Sequence, residues 1–377
     1  MTAEASTASG SASNPLSGLT KKWWFWAAVI VAVFAIVGLD VWSFEEEPEN
    51  HTPILSFLGD GIVGFLRAVT EPVALFWLKL GFAVEASVTG LLVGVLYSLV
   101  ALGFVLIYKA SGMFNYAQGV MVLFAALTFV GLTEYGIPVV LALVLAVVVM
   151  ILFAIVVEFL ILRHLVNQEQ IILFMATIGL AFFLEGFGDT IWGSNVKPIP
   201  LDLPSGAMNW LTIGDWNVQI QWLDISAAAT GAVMVVALAI FFNKTRIGRA
   251  LRAVADDHQA ALSVGINLRT IWIIVWSVAG IVALFAGIVW GAPSGVQFSL
   301  SLIALKALPV LLIGGFESIP GAIVAGLIVG FGEKIAEVSW GDSLGGGIEN
   351  WFAFMLAMVF LVMRPQGLFG EKIIERV

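Results

Sequence analysis

Residues 137–162 form one unbroken apolar run whose only charged side chain is Glu158. About 20 apolar residues in a helix cross a hydrocarbon core of ~30 Å. Backbone groups find no water there, so a crossing chain is helical or closed into a barrel. The run is continuous and does not alternate every second residue, which excludes a barrel. Similar runs recur, and 60% of the residues are hydrophobic while 11% are charged. Soluble domains carry roughly a quarter charged residues. The expected fold is an all-α polytopic membrane protein with about ten transmembrane helices.

Those spans are expected at 23–41, 87–108, 115–133, 137–162, 170–191, 225–243, 271–290, 302–314, 319–337 and 350–363. The run at 302–314 is short for a full crossing and reads as a half-helix or a segment buried in the bundle. Residues 1–22 are rich in small polar residues and end in Lys21–Lys22, the pattern of a disordered cytoplasmic leader. The Trp-rich run from Trp23 has no clean small-residue cleavage site after it, so it reads as an extra N-terminal span and not a signal peptide. Residues 54–81 carry Asp60, Arg67, Glu71, Pro72 and Lys79. They suit one or two external amphipathic helices, or a pair of half-spans. Segment 23–86 is thus an extra span followed by external amphipathic helices, and residues 371–377 form a cytoplasmic tail.

Between two apolar runs lies a polar island, Lys244–Thr270, with Lys244, Arg246, Arg249, Arg252 and Arg269. Basic loops beside spans stay in the cytoplasm. On that rule twelve of the 17 Lys and Arg residues share the cytoplasmic side: Lys21, Lys22, Lys109, Arg163, the five of the island, Arg364, Lys372 and Arg376. Both termini are then cytoplasmic. The net charge of -9 reflects acidic segments such as Glu45–Glu49 and Asp202–Asp224. That asymmetry reports topology and gives no sign of nucleic-acid binding. Cysteine is absent, so disulfides and thiolate metal sites are excluded. His51, His164 and His258 all fall outside the expected spans, which argues against a histidine metal centre in the membrane. No G-x-x-x-x-G-K-[ST] occurs, so this chain does not cradle ATP phosphates by that loop.

Within the island, Asp256–Asp257 suit the start of a short helix and Gly265 its end. The small residues Ala255, Ala260 and Ala261 would let that helix press into a groove on a soluble partner. Arg246, Arg249 and Arg252 recur every third residue, either attracting anionic lipid or pairing with a partner's surface. The external segment Trp192–Asp224 holds Trp210, Trp216 and Trp222 among prolines. It reads as a loop lying along the outer interface, or as a docking surface. The pairs Gly90/Gly94, Gly287/Gly291 and Gly326/Gly330 suit close helix packing within the chain.

Polar groups at membrane depth are costly unless they are paired or line a cavity. Asn115, Gln118 and Thr177 are such groups, and Lys306 is the cation most clearly inside an apolar run. Lys306 snorkels outward, pairs with Glu185 or Glu317, or meets a carboxylate-bearing cargo.

The stretch Gly90–Gly119 resembles the first membrane unit of LivH-type permeases of the branched-chain amino acid ABC transporter family. Thr177-Ile178-Gly179 followed by Trp192-Gly193 is similar to that family's next landmark. The island carries its loop pattern R-x-G-R-A-x-R-A-x-A-x-D and then G-I-N. Lys306-Ala307, Gly314-Gly315-Phe316, Ser318–Ala322 and the tail Arg364–Gly370 complete the order. The resemblance covers residues 87–370 and leaves 1–86 outside.

It implies a subunit forming half of a translocation path, paired with a LivM-like second permease in a bacterial cytoplasmic (inner) membrane. Two cytoplasmic ATPase subunits would bind ATP and Mg, and a periplasmic or lipid-anchored protein would deliver substrate. Membrane lipid surrounds the chain, which needs no cofactor or catalytic residue of its own. The island would be the coupling loop, with Arg249, Arg252, Ala253, Asp256, Asp257, Ala260 and Gly265 against an ATPase. Asn115, Gln118, Thr177 and Lys306 would line the substrate path. The family commonly has His and Glu where this chain has Gln118 and Val120, so both ionisable groups are lost. The cargo implied is a branched-chain or other apolar amino acid, with urea, short amides or aromatic acids as alternatives. A self-contained secondary transporter would need carboxylates deep in the spans. The main ones evident, Glu158 and Glu185, sit near span ends.

Overall fold

In chain order the helices are α1 (Leu80–Ser111), α2 (Gln118–Glu134), α3 (Val139–Leu160), α4 (Gln170–Trp192), α5 (Trp222–Lys244), α6 (Arg246–Asp256), α7 (His258–Ser263), α8 (Leu268–Ser294), α9 (Ile303–Gly314), α10 (Ile319–Leu344) and α11 (Phe352–Met363). The computed structural model describes residues 80–370 except 166–167, 202–205, 214–215, 257 and 345. The leader, the extra N-terminal span and the tail lie outside the described residues. Of the described helices, α1, α3, α4, α5, α8 and α10 are long and apolar enough to cross a membrane, while α2, α9 and α11 are shorter apolar helices. The chain is a multi-pass membrane protein. Helix α1 begins at Leu80 and so absorbs the end of the segment expected as external amphipathic structure.

The described residues are mostly helical, as expected, with one addition to the all-α reading. The external segment contains an antiparallel hairpin, β1 (Ala207–Ile213) and β2 (Trp216–Gln221), with an irregularity between Asn209 and Leu211. Along β2, Val218 and Ile220 are buried while Asn217 and Gln219 between and beside them are exposed. This is the in/out alternation of a strand resting on a support. The Glu85 carboxylate accepts the Gln219 N–H at 3.2 Å and so fastens β2 to α1.

Helices α1, α2 and α8 are buried over most of their surface, as expected of helices that are apolar all round. Helices α3, α4, α5 and α11 lie outside them with exposed apolar faces, including Val140, Met175, Val233 and Val362. Against lipid those faces carry no penalty. The glycine pairs explain how α1 and α10 approach. A Cβ on Gly94 would stand 2.8 Å from the Leu327 Cα, and one on Gly330 2.5 Å from the Gly90 carbonyl. The expected intrachain packing of Gly90/Gly94 and Gly326/Gly330 is therefore present.

Helix α9 is only 12 residues long, about 18 Å at the helical rise. An antiparallel bridge from Lys197 to Val296 precedes it, followed by a 3-10 turn at Phe298–Leu302. Beyond it, the Leu368 N–H donates to the Ile313 carbonyl at 2.7 Å, tying the C-terminal segment to the helix end. This matches the half-helix reading of 302–314.

Contacts sort the helix ends into two faces. On one, Lys109 donates to the Glu317 carbonyl at 3.2 Å and the Trp272 indole to the Ala110 carbonyl at 3.2 Å. The island and Arg364 follow the same ends, so this is the basic face. On the other lie the hairpin and the ion pair of Lys197 with Glu134.

Candidate functional site

On the basic face the island folds as two short helices. Asp256 is the last residue of α6, and α7 begins at His258, directly after the Asp256–Asp257 pair expected to open a short helix. Asp257 lies outside the described residues, and Asp256 and Ala260 are placed only by their backbone. At the start of α6 the Thr245 hydroxyl accepts the Gly248 N–H at 3.0 Å. Arg252 turns back to the Phe242 carbonyl at 2.7 Å and locks α6 against the end of α5. Arg246 and Arg249 are exposed, and Ala253 is half-buried. Leu251, Val254 and Ala261 are buried. Ala261 thus packs into its own bundle, which departs from the expected small face toward a partner. The exposed apolar groups are Leu262 and Val264 at the turn. Gly265 closes α7 as expected. Its φ of +84 suits a residue without Cβ, and the Ile266 N–H reaches the Ala261 carbonyl at 3.0 Å, a helix-terminating pattern. The Asn267 side chain then caps α8 by accepting the Arg269 N–H at 3.1 Å.

The polar residues 115, 118 and 177 build the connection between α1 and α2. The Asn115 carbonyl oxygen accepts the Ala117 N–H at 3.1 Å. Its amide nitrogen lies 3.5 Å from the Gln118 Oε1. The Thr177 hydroxyl accepts the Tyr116 N–H at 3.1 Å and donates to the Phe174 carbonyl at 2.8 Å. All three side chains are buried.

Beside this connection is a pocket of about 160 Å³. Phe104, Phe114, Tyr116, Gly119 and Val120 form one wall, Ala181, Phe182 and Glu185 from α4 a second, and Ser301, Leu302, Ala304, Leu305 and Leu308 around the start of α9 a third. Among the described residues that line it, the one carboxylate is Glu185. Asn115, Gln118, Thr177 and Lys306 do not line it; the first three stand behind the wall they order. Val120, where the resembling family commonly has Glu, presents an apolar surface to it. Tyr116 and Phe182 were not singled out from sequence. The one available signal was Tyr116 lying between two polar residues at a break between spans.

Lys306 pairs with neither Glu185 nor Glu317. Its Nζ lies 3.2 Å from the Oε1 of Glu333. The same oxygen accepts the Tyr97 hydroxyl at 3.1 Å, and the Tyr97 ring stacks on Trp290 with centroids 5.5 Å apart. Glu333 is therefore a deep carboxylate that sequence reading missed, because it sits beside Lys334 near an expected span end. Its Oε2 is buried without a hydrogen-bond partner among the described residues, as is the Trp290 indole nitrogen. Glu158 is also more buried than a span end suggests, and it pairs with Arg269 and Arg163.

The chain is 29% identical over 310 residues to the high-affinity branched-chain amino acid transport permease BraD of Pseudomonas aeruginosa, covering 78% of this chain and 97% of that protein. It is 26% identical over 309 residues to the permease LivH of Escherichia coli K12, covering 78% and 98% respectively. It is also 31% identical over 144 residues to the autoinducer 2 import permease LsrC of Photorhabdus luminescens, covering 34% and 44%. No solved structure matches it. Residues 87–363, from inside α1 to the end of α11, match the family described as the branched-chain amino acid transport system permease component, and with its apolar helices and basic loops in the corresponding order the chain belongs to that family.

Proposed function

We propose that this chain is one permease subunit of an ATP-driven importer for branched-chain or other apolar amino acids. The observation that carries this reading is the similarity to BraD and LivH over nearly their whole length. The site's chemistry agrees. The pocket between α2, α4 and α9 is walled by apolar and aromatic groups with one carboxylate, Glu185. It suits an apolar side chain with an ammonium group nearby. The surface around exposed Phe182, Leu302 and Leu305 faces a second, LivM-like permease, and the path runs between the two chains. Asn115, Gln118 and Thr177 hold the wall of that path, and Lys306 borders it.

The basic face lies toward the cytoplasm of an inner membrane, following the placement of basic loops, and both termini are on that side. ATP and Mg bind to two separate ATPase subunits, since no phosphate-binding loop occurs in this chain. The island is their docking loop. Leu262 and Val264 make the apolar contact and Arg246 and Arg249 the charged rim, and the coupling residues are Arg249, Arg252, Ala253, Asp256, Asp257, Ala260 and Gly265. A periplasmic or lipid-anchored binding protein delivers cargo to the hairpin face.

The test is ATP-dependent uptake of labelled leucine by the complete complex in proteoliposomes. Leucine uptake abolished by excess valine or isoleucine but not by urea supports the reading. Uptake of urea or a short amide with no leucine transport would replace the cargo. The aromatic pocket walls favour phenylalanine as a second competitor, and the same assay scores it.

A further inference from the structure

The pairing of Lys306 with Glu333 is deep. Glu333 stands about 21 Å along α10 from Ile319 at the helical rise, within a hydrocarbon core of ~30 Å. Charges at that depth pair, or face a cavity, because lipid does not solvate them. Glu333 meets the first condition, with 3% of its side chain exposed. Lys306 meets it only in part, for 30% of its side chain remains exposed. Its neighbours on that edge of α9, Leu302 and Leu305, are exposed as well. Held on Glu333, Lys306 shares this edge of α9 with Leu302 and Leu305, which both belong to the pocket wall.

The hydrogen bonding is one-sided. Glu333 uses a single oxygen, Oε1, for both Lys306 and Tyr97, and leaves Oε2 buried with no hydrogen-bond partner among the described residues. An ammonium has three donors. Lys306 gives one to Glu333 and retains two toward its open side. We propose that Lys306 is an anion subsite on the cargo path, taking the carboxylate of a zwitterionic amino acid in transit, with Glu333 as the positioning residue that keeps the grip brief. This rests on the reading of the chain as an amino-acid permease.

Conduction requires a site attractive enough to enter and weak enough to leave. A cargo carboxylate that drew Lys306 away would strand Glu333 as a buried, uncompensated charge. The lysine therefore offers its spare donors without leaving its partner. The same arrangement selects by net charge. A zwitterion adds no net charge beside Glu333, whereas a cargo lacking the ammonium adds a negative one.

The experiment uses the complete transporter in proteoliposomes with labelled leucine as the probe, and thermal unfolding of each purified complex alongside. Lys306→Met lowers the maximal uptake rate about tenfold while half-saturation, set by the binding protein, stays unchanged. Lys306→Arg retains most of the rate. Glu333→Gln slows turnover, and the washed complex holds labelled leucine for longer. The double variant Lys306→Met/Glu333→Gln removes both charges and separates the roles. It regains wild-type thermal stability but not uptake. Wild-type uptake by that double variant overturns the proposal, leaving the pair a structural contact only. A wild-type complex that takes up no apolar amino acid fails earlier, at the reading on which the proposal rests.

Discussion

The Nε of Arg269 lies 3.2 Å from the Oε1 of Glu158, whose side chain is 3% exposed. The other oxygen of Glu158 faces Arg163 at 3.7 Å, and that guanidinium lies 3.7 Å over the Phe159 ring. Glu158 sits near the end of α3, and Arg269 is the second residue of α8, next to the Asn267 cap. The clasp thus joins the exit of the polar island to two membrane helices. Under the proposed docking of an ATPase on the island, a push on α6 and α7 would pass to α8 through the turn capped by Asn267 and to α3 through this carboxylate.

Arg269→Ala leaves Glu158 buried with one distant partner. Arg269 is 59% exposed, so water already offsets part of the pairing. The expected loss of stability is about 1–2 kcal/mol, between that of a surface pair and that of a charged buried bond. In the assembled transporter, basal ATPase activity persists while leucine taken up per ATP falls. Arg269→Lys keeps the charge and recovers part of both. Thermal unfolding and paired ATPase and uptake assays check this. A normal uptake-to-ATP ratio in Arg269→Ala would confine the clasp to stability.

The seam between α1 and α10 makes a sharper prediction. At Gly94 and Gly330 an added methyl meets backbone atoms of the facing helix, and backbone does not rotate aside. Gly94→Ala and Gly330→Ala each destabilise by about 1–3 kcal/mol or more, as overpacked cores do. Gly179 and Gly186, inside α4, have nothing within 4 Å of an added Cβ. Their Ala variants hold or slightly raise stability, because helical glycine is disfavoured by roughly 1 kcal/mol against alanine. Melting temperatures of the four variants in one detergent decide it, and equal losses at all four positions would contradict the seam.

The spans were legible because crossing a membrane imposes length and apolarity locally, residue by residue. Helices α4, α5 and α8 begin and end within a few residues of where the apolar runs place them. Partner choice was not legible. Lys306 was visible as a misplaced cation, yet its partner depends on which face α10 turns toward α9, and apolar helices have almost no polar face to reveal that. The hairpin 207–221 was missed for another reason. Its two strands are short and stand among prolines, and the alternation of Val218 and Ile220 with polar neighbours was masked by tryptophans suited to an interface. Asp256–Asp257 stand where the second short helix begins, since α7 starts at His258, whereas α6 before them, secured by Arg252 and running on to Asp256, carried no acidic start signal of its own.

Thr177 joins the site without lining the pocket. Its hydroxyl caps the Tyr116 N–H, and Tyr116 forms part of the pocket wall. Thr177→Val preserves shape and removes the acceptor, leaving the part-buried Tyr116 N–H unpaired at a cost of about 1 kcal/mol. The Tyr116 wall shifts with it, so maximal uptake drops while binding-protein affinity for leucine stays unchanged. Thr177→Ser restores the hydroxyl and most of the uptake. An uptake rate in Thr177→Val equal to wild type would show that the wall does not depend on this cap.

Gly103 and Gln118 test the packing behind that wall directly. The Gln118 side chain is fully buried, and it lies where a side chain on Gly103 would begin. A Cβ there would collide with the Gln118 amide nitrogen and stand 2.9 Å from its Cδ. That nitrogen has no hydrogen-bond partner among the described residues. Gly103→Ala alone therefore forces a buried amide aside and costs about 1–3 kcal/mol. Gln118→Ala alone deletes an unsatisfied donor but opens a cavity beside Gly103, so the two effects oppose each other. In the double variant the new methyl enters the vacated space. The two changes couple favourably by at least about 1 kcal/mol, as contacting positions do. A double-mutant cycle by thermal or denaturant unfolding measures that coupling. Strict additivity would mean that Gln118 does not occupy the space above Gly103, and the wall of the pocket would then be held by Asn115 and Thr177 without it.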